Sequence, residues 1–160
     1  MLVVVSDAGP LICLGRLDLL RLLPALFAEV QVPDPVLHEC TSRWQSPDAA
    51  RIGAALALGW LTPCGSQQVI GGTLGRGERA AIARALDIGA GLLTDDHGAR
   101  VHAESLQIAV VGTLGVLTRS KQAGLVPSVA PLIDRLRNSG QRFGQAVVAQ
   151  VLMAAGEARQ

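Results

Sequence analysis

Aromatic rings are scarce in this 160-residue chain: apart from three histidines there are only Trp44, Trp60, Phe27 and Phe143. Modules that bind single-stranded nucleic acid on an aromatic platform, of the RRM or OB type, need more rings than that and are excluded. Cys13, Cys40 and Cys64 are odd in number, widely spaced and form no CxxC pair. They point to buried thiols in a reducing compartment, not to a disulfide framework or a closed zinc site. Charge of one sign is lacking too: the net charge of +1 exerts no general pull on nucleic acid, so any polyanion binding must come from local patches. Long apolar runs are missing. Residues 19–26 and 80–86 are interrupted by Arg, Pro or Asp well short of the roughly 20 residues of a membrane span. Met1 to Val5 lacks the basic flank of a secretory signal. The expectation is a soluble, cytoplasmic protein with no membrane partner.

Several catalytic signatures are absent. The segment Gly72-Thr73-Leu74-Gly75-Arg76-Gly77 follows no strong strand and lacks the Gly-Lys-Ser/Thr ending of a phosphate-binding loop. His38-Glu39-Cys40 and Pro63-Cys64 do not complete the spacing of a zinc deaminase. Asp7-Ala8-Gly9 lacks the second acid that an aspartyl-phosphate mechanism wants, and there is no Gly-x-Ser-x-Gly elbow. His97, beside Asp96, reads as a half-exposed residue at a helix start.

What the chain does have is 49% hydrophobic residues, enough for a real core in one domain spanning 1–160. Residues 2–6 read as a buried strand, and Asp7 to Pro10 as a turn leading into residues 11–14. Apolar spacing predicts a helix over 18–26, then a strand over 30–32 closed by Pro33, and a helix over 36–40 with Pro35 at its first position. Ser46-Pro47-Asp48 caps a helix over 49–58 that Gly59 ends. Residues 60–61 make at most a short edge strand, and 65–77 a loop. An amphipathic helix over 78–86, a strand over 91–94, a helix over 96–105 and a strand over 108–111 follow. This alternation predicts a parallel α/β sheet. From Gly112 the pattern is helical, over 114–123, 130–137 and 145–155. The C-terminal helices, about 128–157, either cover the sheet or form a dimer surface.

Five carboxylates fall where strands end or helices begin: Asp7, Glu39, Glu78, Asp95 and Asp96. Singly, each reads as a cap, a turn residue or a solvated charge. Together they fall at the carboxyl edge of the predicted sheet, where ligands of open α/β folds bind. Carboxylates gathered there repel one another unless a cation is present, and hard oxygen donors select Mg²⁺ or Mn²⁺. Such a site suits phosphodiester hydrolysis, in which bound metal lowers the pKa of a water and stabilises the leaving oxygen. Arg76, Arg79, Arg100 and Lys121 are the basic residues close enough in sequence to contact phosphates.

In chain order these pieces resemble a PIN-domain protein, specifically the compact prokaryotic subgroup labelled a domain of unknown function and grouped with VapC-type toxins. The resemblance rests on Val4-Val5-Ser6-Asp7-Ala8-Gly9-Pro10-Leu11-Ile12, on Val32-Pro33-Asp34-Pro35-Val36 leading to Glu39, and on Gly77-Glu78 with Ala81-Ile82. It continues through Leu93-Thr94-Asp95-Asp96 with Ala99-Arg100, through Val111-Gly112-Thr113-Leu114-Gly115-Val116-Leu117, and into the closing stretch 136–157. It implies a three-layer α/β/α sandwich around a central parallel sheet of four or five strands, with a helical C-terminal segment. It also implies an acidic catalytic and metal-binding set of Asp7, Glu39, Glu78 and the Asp95-Asp96 pair, with Asp96 the closer match to the family's late Asp. The implied activity is Mg²⁺- or Mn²⁺-dependent RNA cleavage, with a homodimer and an antitoxin partner. One departure stands out: such proteins usually carry Ser, Thr or Asn two residues after the first Asp, where this chain has Gly9. That leaves a second reading open, a non-catalytic PIN-like module that binds RNA or a protein.

Overall fold

A computed structural model describes residues 1–42 and 45–158. Strand β1 (Val3–Ser6) is the middle of the sheet and pairs in parallel with β2 (Glu29–Pro33) and β4 (Gly91–Leu93). Strands β3 (Thr62–Cys64) and β5 (Val110–Val111) complete a five-stranded parallel sheet, in the order β3-β2-β1-β4-β5. A central parallel strand is covered on both faces, so it reads as a continuous apolar run without alternation. Val4 and Val5 show this directly, because each enters a different core.

The larger core joins Val4 to side chains of α1 (Ala8–Arg16), α2 (Leu22–Leu26), α3 (Asp34–Thr41), α4 (Pro47–Ala57), α7 (Thr113–Gln122), α8 (Ala130–Asn138) and α9 (Gln145–Ala154). The smaller joins Val5 and Leu92 to α5 (Arg76–Ile88) and α6 (His97–Ser105), through Ala81, Ile82, Ala85, Ala99 and Ala103. Small alanines let α5 and α6 lie close to the sheet. The result is helix, sheet, helix. Cys13 and Cys40 are buried in the larger core, and burial pushes their thiols up to about 11 and about 12. They act as inert core side chains.

Boundaries follow local chemistry. Ser46 accepts from the Ala49 amide at 3.4 Å to open α4, and Gly89, at a left-handed φ of 64°, closes α5. Helix α1 begins directly at Ala8, so the predicted turn is its first turn. Pro10 sits there without cost because the first amides of a helix have no internal acceptor. Where a helix over 18–26 was expected, the chain turns at Asp18 (φ 57°) and only Leu22–Leu26 is helical. Leu19, Leu20, Leu22 and Leu23 are all buried, so the apolar spacing marked burial rather than a continuous helix. The edge strand expected at 60–61 lies two residues later. Leu61 belongs to the core, and Pro63 is tolerated in β3 because an edge strand has one unpaired side. Helix α5 starts at Arg76, two residues before the expected 78.

The C-terminal segment packs through α9 on α7. Its end is fastened by Glu157, whose Oε1 accepts from Lys121 Nζ at 2.7 Å and from the Val129 amide at 2.6 Å. Oε2 accepts from the Ala130 amide at 2.9 Å. One carboxylate thus caps α8 and ties the tail to α7. Among the described residues no helix is long and apolar enough to cross a membrane.

Burial opposes the charge on Glu157, but the bonds from Lys121, Ala130 and Val129 together outweigh it, and its carboxyl is held below the usual range. Stability from this clamp is therefore present at neutral pH and is lost as pH falls through that range. Glu157→Ala is expected to lower unfolding free energy by about 1–3 kcal/mol at pH 7 in urea titrations. The gap to wild type should narrow below about pH 4.

Candidate metal centre

Strand order reverses between β1 and β4: the chain steps outward from β1 to β2 and β3, then crosses back to β4 and β5. Crevices at such a reversal, beyond the carboxyl ends of the strands, are where open α/β folds place their sites. Asp7 follows β1 and its amide donates to the Leu93 carbonyl of β4 at 2.8 Å. Its carboxylate, only 5% exposed, caps α1: Oδ1 accepts from the Ala8 amide at 2.7 Å. Oδ2 accepts from the buried Thr94 hydroxyl at 3.0 Å, and Thr94 Oγ1 in turn accepts from the Asp96 amide at 3.1 Å. Thr94 is therefore the joint between the first acid and the late pair.

Glu39 on α3 and Glu78 on α5 approach Asp7 from the side of β2. A β-carbon on Gly77 would stand 3.0 Å from Glu39 Oε2 and 3.7 Å from Asp7 Oδ1. The missing side chain leaves the gap that these two carboxylates face. The Glu78 carboxylate is turned back over Gly75. Asp34, His38, Glu39, Arg76 and Glu78 line a cavity of about 580 Å³ beside them. Burial, the largest cause, raises Asp7 to about 6; Glu78 and Glu39 add to the rise, and the bonds from Ala8 and Thr94 offset only part of it. Glu39 is raised by burial and by Glu78. Asp7 thus feels the charge of both Glu78 and Glu39, and Glu39 feels that of Glu78.

The late pair divides its work. Asp96 caps α6, with Oδ2 accepting from the Ala99 amide at 2.7 Å. Asp95 is taken up by Thr113 at the start of α7: Oδ1 accepts from its amide at 2.7 Å and Oδ2 from its hydroxyl at 2.5 Å. A β-carbon on Gly112 would stand 2.9 Å from Asp95 Oδ1, so a glycine precedes Thr113. At Gly9 a β-carbon would meet Asp95 Oδ2 at 3.6 Å, an ordinary contact. Room for a larger residue exists there, and the hydroxyl on Asp95 comes from Thr113 instead.

Of the basic residues, Arg76 lines the acidic cavity. Arg79 borders a neighbouring hollow with Pro33 and Cys64, its Nε buried without a hydrogen-bond partner among the described residues. Arg100 lies on the Asp95 side, 3.8 Å from Glu104. Lys121 is committed to Glu157. Two contributors went unnoticed in the sequence: Thr94 and Thr113 sit inside motifs that carry acids or glycines, and only their burial and hydrogen bonds mark them out. His38 also faces the acidic cavity, one residue before Glu39.

Among the described residues, no three His, Cys, Asp or Glu side chains stand grouped so as to hold a metal ion as they are. The donor chemistry nonetheless fits a hard divalent cation. Asp7 and Glu39 face one gap cleared by Gly77, with Glu78 electrostatically coupled to both. An all-oxygen anionic set of this kind suits Mg²⁺ or Mn²⁺ and no soft metal.

A doubly covered parallel sheet with acids at its reversal point defines an open α/β fold with an anionic carboxyl edge. The chain belongs to the PIN-domain family: the family model described as DUF3368, PIN domain, matches residues 3–157. Six chains of solved structure match this one. One is a PilT N-terminus domain protein from the hyperthermophilic archaeon Sulfolobus solfataricus P2, matched with a TM-score of 0.50 at 16% identity, over 74% of this chain and 92% of that one. A search of curated proteins found no match.

Because the folded state keeps a proton on Asp7 that the unfolded chain has released, stability falls as pH rises from the usual Asp range through about 6. In chelator at pH 7, Asp7→Asn should be more stable than wild type by on the order of 2 kcal/mol, the difference closing below about pH 4. Urea titrations at the two pH values check this; an equal or less stable variant would contradict it. Thr113→Val should cost about 1–3 kcal/mol through the unsatisfied Asp95, while Thr113→Ser should restore wild-type stability.

Proposed function

We propose that this chain is a Mg²⁺- or Mn²⁺-dependent endoribonuclease that hydrolyses RNA phosphodiester bonds, acting as the toxin of a toxin–antitoxin pair. PIN domains are typically nucleases, and family membership supports the reaction class. The observation that carries the proposal is the space beside Gly77, where Asp7 Oδ1 and Glu39 Oε2 both lie within 4 Å of the place a β-carbon would take. Asp7 and Glu39 would hold the metal with Glu78, once its carboxylate turns from Gly75, and Asp96 would close the set from α6. The bound metal would acidify a water and stabilise the leaving oxygen. This chain's residues do the positioning. Thr94 fixes Asp7 relative to Asp96, the Ala8 amide fixes its other oxygen, and Arg76 offers a phosphate contact at the rim.

The toxin role and the homodimer rest on the resemblance to VapC-type proteins. A specific observation favours a second reading, a PIN-like binding module: Glu78, Asp95 and Asp96 are each turned toward the chain's own backbone or hydroxyls.

Cleavage of single-stranded RNA with Mn²⁺ separates the readings. Wild type should cut, chelator should stop it, and Asp7→Asn or Asp96→Asn should lower the rate by at least about 100-fold. Mn²⁺ should also raise the melting temperature of wild type and not of Asp7→Asn, since only the state that binds is stabilised. No metal-dependent cleavage on varied RNAs, or variants as active as wild type, would leave the binding module as the better account.

A further inference from the structure

A second cleft, about 560 Å³, is bordered by Asp95 and shares no lining residue with the acidic cavity. Its walls are the β5–α7 junction and the segment that joins α8 to α9, with Asp95, Arg100, Arg119, Gln141, Arg142 and Phe143 among its lining. Three guanidiniums face one carboxylate there, and that carboxylate is engaged by Thr113. Among the described residues Arg119 and Arg142 form no ion pair. Gly144, at the mouth of α9, supplies no side-chain cap, so the positive end of that helix also borders the cleft. The cavity around Glu39 has the opposite balance, one arginine against Asp34, Glu39 and Glu78. In a chain of net charge +1, this cleft is a local positive patch next to the acidic edge.

We propose that the cleft holds the single-stranded RNA on one side of the scissile phosphate, with Arg100, Arg119 and Arg142 on successive phosphates and Phe143 against a base. The inference rests on the ribonuclease reading and adds the track by which the substrate crosses the acidic edge. Guanidiniums suit phosphate because their planar fork donates two parallel hydrogen bonds. A half-buried ring beside them favours a single strand, whose bases are free to stack, over a duplex, whose bases are not. Neither Arg119 nor Arg142 follows an acid in sequence; topology alone brings them to Asp95.

The test is fluorescence anisotropy with a labelled single-stranded RNA oligonucleotide, in chelator, over a salt series. Arg119→Ala/Arg142→Ala should weaken binding at least tenfold and make the slope of log K against log salt shallower by about 1.4, the loss of two phosphate contacts on a single strand. Phe143→Leu should weaken binding without changing that slope. Both arginines are exposed, so the double variant should keep its melting temperature. Arg21→Ala, whose guanidinium is held by the Asp18 carbonyl and which is absent from the cleft lining, should bind as wild type does. A wild type with no measurable affinity, or a double variant within twofold of it at every salt, overturns the proposal. So does a labelled acidic peptide that binds wild type and not the double variant while the RNA binds neither, which would give the cleft to a protein. Because binding is read without metal, loss of the cleavage reading leaves this result standing, and the reverse holds too.

Discussion

The structure depends on one desolvated carboxylate. Asp7 sits at the hinge between the central strand and the first helix, and it meets three demands there: it caps α1, it takes the Thr94 hydroxyl, and it remains within electrostatic reach of Glu39 and Glu78. Burial makes its charge expensive, and two hydrogen bonds recover only part of that cost. A protein seeking stability alone would place a neutral residue there. Keeping an acid under these conditions is what the proposed cation site would require, since a divalent ion would remove the repulsion that the fold otherwise carries.

Around Asp7 the carboxyl edge is organised by small residues and hydroxyls as much as by acids. Gly77 clears the space that Glu39 enters, and Gly112 lets Asp95 reach the first amide of α7. Thr94 couples β1 to the late pair, and Thr113 couples that pair to α7. The two late acids therefore serve different neighbours. Asp96 caps the helix on one face of the sheet, and Asp95 holds the helix on the other, so both layers are registered to the same edge.

Much of this was legible in the sequence because the relevant signals are local. The valine run of β1 announced a doubly buried strand, Ser46-Pro47 announced the start of α4, and Gly59 and Gly89 marked helix ends. The acids could be found because strand ends and helix starts converge at one edge in any parallel sheet. What was not legible depends on tertiary partners. Asp18 in a left-handed conformation broke a helix whose apolar spacing was sound, because those leucines are buried through a turn. Lys121, a candidate phosphate contact in the sequence, is held by Glu157, 36 residues away, a partner that no local signal announces. Gly9 looked like a missing donor beside the first acid. Folding places that position beside Asp95, whose carboxylate is already satisfied by Thr113, 18 residues after it.

The central claim is that this acidic edge is a metal site assembled on Asp7. Crystals grown with Mn²⁺ and measured for anomalous scattering test it most directly. The account predicts an anomalous peak above Gly77, in contact with Asp7 and Glu39, with Glu78 swung away from Gly75, and no such peak in Asp7→Asn. A Mn²⁺-saturated crystal with no peak at Asp7, and Glu78 still folded over Gly75, would contradict it.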